Sequence, residues 1–312
     1  MSRIFDALQR SGTEQSGVEY PDMVSVATAV FEPARQSTPP LLNDQVELIE
    51  PPAVPALIPE SMIPEIPPQV EEKVSAVSFP SMEASVTPES RLVFLTQPES
   101  LAAEKFRFVG VRLRQMRQNR PLKKVLITST IPEEGKSFIS SNIAGALARR
   151  KEKILLIEGD LRRPVLAEQL GLGRLAGLSE WLQSGLDTPS NIYHLNGPGF
   201  WILPCGSPPP HPLELMQSGK LSALMNQLTT VFDWIIVDSP PLLPLADSTV
   251  WMRLTDGTLL AAREGKTQKG PLQRGLEMIK KSELLGVVLN SCTDLDQHNY
   301  YRRYSPPTKP TK

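Results

Sequence analysis

The sequence predicts an α/β fold, a mostly parallel sheet with helices on both faces, preceded by a long disordered N-terminal region. Three observations carry this. Short apolar runs such as Val125–Ile127, Ile154–Ile157 and Ile235–Val237 read as buried parallel strands. Helix-length segments separate them, which is the alternation a parallel sheet requires. Prolines recur from Pro21 to Pro88, where neither a helical nor a strand period survives.

The strand Lys124–Ile127 is followed by Thr128-Ser129-Thr130-Ile131-Pro132-Glu133-Glu134-Gly135-Lys136-Ser137. Behind it an apolar-periodic stretch runs through Ile139, Ile143, Ala144 and Leu147 to Arg149-Arg150-Lys151. Strand, tight loop and helix in that order form a phosphate-binding P-loop. Backbone N–H groups of Pro132 to Phe138, Pro132 itself excepted, would face phosphates, with the helix dipole favouring anions there. Lys136 supplies a mobile cation for the β- and γ-phosphates, and the Ser137 hydroxyl is suited to Mg²⁺. Thr130 stands where the first glycine of the usual pattern lies, and Glu133 and Glu134 sit inside the loop.

Composition narrows the rest. The net charge of −1 excludes a generic polyanion binder, so no nucleic acid is expected. Cys205 and Cys292 are far apart and read as structural thiols, and three scattered histidines give no metal spacing. No run of 18 apolar residues spans a membrane, and Met1–Gln9 lacks a signal peptide's regions, so a cytoplasmic protein is expected.

In chain order, Ser2–Gln9 can place Ile4, Phe5 and Leu8 on one helical face, giving a short motif over residues 1–10. Residues 11–90 form the proline-rich linker. Residues 91–297 form the nucleotide-binding domain, with Ser100 capping a basic helix that carries Glu104, Lys105 and Arg107. Lys153–Asp160 is a second buried strand ending in Glu158 and Asp160, both expected to face the phosphates because ligands bind at strand tips. A helix over Leu178–Gln183, a strand over Phe200–Leu203 and a helix from Leu213 to about Thr229 follow. Asp233–Asp238 is a third strand, and Asp238 would hold Mg²⁺ directly or through water. Helix Asp247–Leu254, strand Gly257–Ala262, helix Pro271–Ser282 and strand Leu285–Asn290 complete the alternation. The tail 298–312 holds Tyr300, Tyr301 and Tyr304 in a polar, proline-ended segment suited to phosphorylation.

In these motifs the chain resembles the bacterial tyrosine kinases of capsule and exopolysaccharide export, P-loop relatives of the Min/Par ATPases, over about Leu92 to Tyr304. The resemblance rests on Thr130–Ser137, on Ile154–Arg162, on Ile235–Asp238 with Ser239-Pro240-Pro241, and on the tyrosine cluster. It implies an ATP- and Mg²⁺-dependent tyrosine autokinase. Lys136, Glu158, Asp160 and Asp238 would be catalytic. Thr130, Pro132, Glu133, Glu134, Gly135, Lys136, Ser137, Phe138 and Arg162 would bind nucleotide, and Ser137, Asp160 and Asp238 the metal. Glu158 or Asp160 would orient or deprotonate the acceptor hydroxyl of Tyr300, Tyr301 or Tyr304. Glu158 stands where the family usually has Asp, and the family's Glu-x-x-Arg-x-x-Arg assembly motif is kept as Glu104 and Arg107, with Gly110 last. The family further implies a separate membrane-spanning chain-length regulator as activator, a homo-oligomer phosphorylating in trans, and recruitment to the inner face of the plasma membrane. Met1–Gln9 is similar to the opening of exosortase-associated members. Two other readings stay open, a Min/Par-like ATPase switch and a nucleotide-binding scaffold with weak kinase activity. The signature lysine of the former is absent, since Ile131 occupies its place.

Overall fold

The computed structural model describes residues 79–84, 91–184 and 191–292. The expected N-terminal helical motif, most of the linker and the tail with Tyr300, Tyr301 and Tyr304 lie outside the described residues.

The elements run β1 (Ser81–Glu83), α1 (Val93–Thr96), α2 (Leu101–Asn119), β2 (Lys124–Ser129), α3 (Lys136–Ala148), β3 (Ile154–Glu158), α4 (Leu166–Gln169), α5 (Leu178–Gln183), β4 (Tyr193–Asn196) and β5 (Phe200–Leu203). Then come α6 (Pro212–Met216), α7 (Gly219–Val231), β6 (Trp234–Asp238), α8 (Asp247–Leu254), β7 (Gly257–Arg263), α9 (Lys269–Met278) and β8 (Leu284–Asn290). The strands form one sheet in the order β1-β4-β5-β3-β6-β2-β7-β8. From β5 to β8 every pairing is parallel. The central strands are buried on both faces, which explains their unbroken apolar runs. Core residues accordingly divide between two faces, one under α2 and α3 with Ile127, Leu156 and Ile236, the other under α7 with Leu126, Leu155 and Ile235.

Several expectations are corrected. The linker expected to reach residue 90 contains a strand, β1, which pairs in parallel with β4. Phe79 anchors it by stacking on Phe232 at 5.8 Å between ring centroids. β4 itself was not expected, because of its four residues only Leu195 is buried. It is antiparallel to β5 through a three-residue hairpin in which Gly197 and Gly199 take positive φ, so the Asn196-Gly197 pair was a hairpin signal. The single helix expected from Leu213 is two. Ser218 takes extended dihedrals between α6 and α7, and Ser218-Gly219 favours a helix start over a helix interior.

Ser100 does cap α2, accepting from the Ala103 N–H at 3.1 Å. Among the described residues no helix is long and apolar enough to cross a membrane.

The chain crosses the P-loop helix just before α1. Asn142 of α3 donates to the Arg91 carbonyl at 2.9 Å and accepts from the Val93 N–H at 2.9 Å. Phe94 then lies against Gly145, where an added Cβ would sit 2.0 Å from the Phe94 ring. Gly145→Ala should therefore destabilise the domain by about 1–3 kcal/mol, outweighing the roughly 1 kcal/mol that alanine gains over glycine in a helix. The midpoint of urea unfolding should fall, and Phe94→Leu in the same chain should recover part of the loss. An unchanged midpoint for Gly145→Ala would contradict this packing.

Candidate active site

The parallel register places three acids and the P-loop at one edge of the sheet. Asp238 pairs with Ile127 on one side and with Glu158 on the other, so the tips of β2, β6 and β3 lie side by side. Gly159 continues this arrangement by donating its N–H to the Asp238 carbonyl at 2.7 Å. Its carbonyl accepts from the Trp251 indole at 3.0 Å. A Cβ at 159 would come within 2.8 Å of Trp251, so the position needs glycine's missing side chain.

The P-loop is held from beneath. Glu134 is fully buried, and its carboxylate turns back to accept the N–H groups of Thr130 at 2.8 Å and Ile131 at 3.0 Å. The hydroxyls of Thr130 and Thr267 also donate to it. Glu133 takes the left-handed conformation at φ 64°, the position where glycine costs least, and its side chain is 80% exposed. Lys266 pairs with that carboxylate at 2.5 Å and is the main reason it stays below the usual carboxylate range. Neither acid leaves an unpaired charge facing the phosphate site. Gly135, at φ 93°, ends the loop and starts α3. The Asn290 amide donates to the Glu134 carbonyl at 3.1 Å and would be 2.1 Å from a Cβ on Gly135.

Above the loop is a cavity of about 930 Å³. Of the sequence-derived candidates, Pro132, Glu133, Gly135, Lys136, Ser137, Phe138, Asp160 and Arg162 line it. The Phe138 ring also packs edge-on against Phe106 at 5.4 Å. Thr130 and Glu134 serve from below as the loop's internal frame. Arg162 is fixed by a bidentate pair to buried Asp247, at 2.6 and 3.1 Å, which holds its guanidinium charged. Asp160 accepts the N–H groups of Arg162 at 3.2 Å and Arg163 at 3.0 Å through one oxygen. Burial raises its pKa, against the pull of the Arg163 N–H and Lys136.

Asp238 is 2% exposed, and one of its carboxylate oxygens has no hydrogen-bond partner. Burial pushes its pKa up to about 7, opposed by Lys136 and by the Ser137 hydroxyl. An orphaned buried carboxylate oxygen beside a hydroxyl and a second acid fits a hard divalent cation.

Glu158 is placed otherwise than expected. Its carboxylate accepts from the N–H of Leu166 at 2.5 Å and of Cys205 at 3.0 Å, and does not line the loop cavity. The longer side chain reaches the backbone of neighbouring elements, where an aspartate would stop short. Burial raises its pKa, with the N–H groups of Cys205, Leu166, Ala167 and Val165 acting the other way.

Arg91, Arg163, Arg263 and Asn290 also line the cavity and were not among the candidates. Arg263 and Asn290 end β7 and β8, so the rule that ligands bind at strand tips could have found both. Arg91 arrives from the proline-rich side, and nothing in its local sequence marks it.

No family model matches the chain. It is 32% identical over 215 residues to tyrosine-protein kinase YwqD of Bacillus subtilis, covering 68% of this chain and 90% of that one. It is 32% identical over 185 residues to tyrosine-protein kinase CpsD of Streptococcus pneumoniae, covering 57% of this chain and 80% of that one. Among solved structures, the chimerical protein CapA2B2 superposes with a TM-score of 0.62 at 28% identity, over 69% of this chain and 96% of that one. The kinase domain of the Escherichia coli tyrosine kinase ETK does so at 0.59 and 25%, over 65% and 82%.

The two loop glutamates should behave oppositely. Glu134→Ala leaves the buried Thr130 N–H and the part-buried Ile131 N–H without acceptors, at about 1–3 kcal/mol for the buried one, and should lower the unfolding midpoint sharply. Glu133→Ala removes only a solvent-screened pair and should leave the midpoint unchanged. Equal midpoints for the two variants would refute the internal frame.

Proposed function

The chain belongs to the bacterial tyrosine-protein kinases, and from that premise we propose that it transfers the γ-phosphoryl group of ATP to tyrosine hydroxyls. The observation that carries this is the P-loop floor of the cavity, with Lys136 and Ser137 beside Asp160 and the orphaned oxygen of Asp238. The N–H groups at the start of α3 and Lys136 bind and orient the phosphates. Ser137, Asp160 and Asp238 would hold Mg²⁺, which would supply charge neutralisation at the phosphate oxygens. Asp160 has one carboxylate oxygen not occupied by backbone, and it accepts the phenolic proton. The tyrosine oxygen forms a bond to the γ-phosphorus, and the bond from that phosphorus to the β-γ bridging oxygen breaks, releasing ADP. Arg162 and Arg163 add positive charge on the same wall.

The acceptors in this reading are Tyr300, Tyr301 and Tyr304, which lie beyond β8. Arg302 and Arg303 give their segment a positive field complementary to an acid-lined site. Transfer runs between subunits of a homo-oligomer, because a tail starting at a fixed exit point reaches a neighbour's cavity more readily than its own. Each phosphate adds about −1.5 to −2 charges and repels the tail from Asp160 and Asp238, making the modification cyclic. A separate membrane-spanning regulator would activate the kinase at the inner face of the plasma membrane, where it controls exopolysaccharide polymerisation and export. The retreat of Glu158 favours a second reading, a nucleotide-binding scaffold with weak transfer, since one strand-tip acid is withdrawn from the cavity.

Lys136→Met should cut tyrosine phosphorylation by about 10²-fold or more and weaken nucleotide binding. A Lys136→Met chain with intact tyrosines should be labelled when mixed with an active chain in which Tyr300, Tyr301 and Tyr304 are all Phe. Label absent from the mixture but present on wild type alone would refute transfer between subunits. Wild type that binds ATP but acquires only traces of phosphotyrosine would favour the scaffold.

A further inference from the structure

Glu158 belongs to a different piece of machinery from the acids at the loop. Its oxygens meet two backbone N–H groups that their own elements leave unpaired. Leu166 is the first residue of α4, whose N-cap, Val165, offers no side-chain acceptor, so the Leu166 N–H is an orphan of a helix start. Cys205 lies beyond Leu203, the last residue of β5 in register with β3, so its N–H has no strand partner. One carboxylate satisfies both, at 2.5 and 3.0 Å, from a residue 1% exposed.

It joins the wall of the nucleotide site to a turn beyond β5. The turn from Cys205 to Ser207 is pinned on its other side by a second carboxylate. Glu180 accepts the N–H of Ser207 at 2.8 Å and of Gly177 at 2.8 Å. The segment 160–169 is fastened near its start by the Arg162–Asp247 pair and by buried Leu161, and Glu158 holds its other half at the Leu166 N–H. It forms one wall of the nucleotide cavity through Asp160, Arg162, Arg163, Val165 and Gln169. Behind that segment is a separate cavity of about 400 Å³, and Glu158 lines this one, with Pro164, Glu168, Arg174, Pro204 and Ser207. The wall is therefore a partition with space on both sides.

We propose that Glu158 is a positioning residue, a strut that hangs the Asp160–Gln169 wall of the nucleotide site from the Cys205–Ser207 turn, and that its extra methylene over aspartate is what spans the gap. The proposal rests on the kinase reading for the wall's use but not for the strut's existence. Aspartate would withdraw the carboxylate by about one carbon–carbon bond, roughly 1.5 Å, beyond hydrogen-bonding reach of both amides. Glutamine would keep one acceptor and turn an NH₂ toward the other N–H. Both substitutions should free the wall, and restoring the family's usual aspartate should fail to rescue it.

The test uses the full chain and a probe independent of transfer. Arg162 precedes Arg163-Pro164, so trypsin has one susceptible bond in the wall, after Arg162. Glu158→Asp and Glu158→Gln should each raise cleavage there by about tenfold or more and weaken binding of a fluorescent ATP analogue several-fold, while cleavage after residues outside the wall stays at wild-type rates. A catalytic role predicts the reverse split. Glu158→Gln would then lose phosphotransfer with cleavage and nucleotide affinity unchanged, and Glu158→Asp would keep or gain transfer, an outcome that overturns the strut. Should neither variant fold, amide exchange in wild type decides. Slow exchange at both Leu166 and Cys205 supports the strut, and rapid exchange at either excludes it. A wild type with no kinase activity would refute the functional reading while leaving cleavage, affinity and exchange to judge Glu158.

Discussion

The site depends on a buried carboxylate beneath the phosphate loop. A P-loop must turn its N–H groups toward an anion, and without the anion those dipoles have every reason to collapse onto a nearer acceptor. Glu134 supplies an acceptor on the inner side, taking the amides of Thr130 and Ile131 and the hydroxyl of Thr267. The remaining loop is then committed to face outward. Because Thr267 follows β7 and Asn290 ends β8, the same contacts tie the loop to two strands on one side of the sheet. A bare carboxylate buried this deeply would be costly, and the amide and hydroxyl donors offset that cost.

The other half of the site is organised by the sheet itself. Parallel register brings the ends of β2, β6 and β3 level, and Trp251 with Gly159 locks the turn that leaves β3. From that turn Asp160 and Arg162 reach the cavity, the first braced by two backbone amides and the second by Asp247. Asp238 is left under-bonded at the centre, where Lys136 acts on it and on Asp160, while the Arg162 guanidinium interacts with Asp160. The arrangement is polarised before any ligand arrives, which is the condition for electrostatic stabilisation of a phosphoryl-transfer transition state.

Much of this was legible in the residues. The strand–loop–helix around Gly135-Lys136-Ser137, the apolar strands and the acids at their ends follow from period and spacing, because burial on both faces leaves a simple mark. Side-chain direction past the end of a strand leaves no such mark. Glu158 and Asp160 are two apart and looked equivalent, yet one extra methylene lets Glu158 bond to the backbone at Leu166 and Cys205 instead. The roles of the two loop glutamates were not legible, because sequence does not reveal that Glu134 points inward and Glu133 meets Lys266. β1 was hidden in proline-rich composition, where three residues gain their order from β4 and from the Phe79–Phe232 stack rather than from local preference.

The most direct measurement is a crystal structure of the chain with Mg²⁺ and a non-hydrolysable ATP analogue. The phosphates should lie on the N–H groups at the start of α3, with Glu134 still bonded to Thr130 and Ile131 and the loop backbone displaced by less than about 1 Å. A nucleotide bound elsewhere, or a Glu134 carboxylate swung out of its buried position to admit the phosphates, would contradict the account.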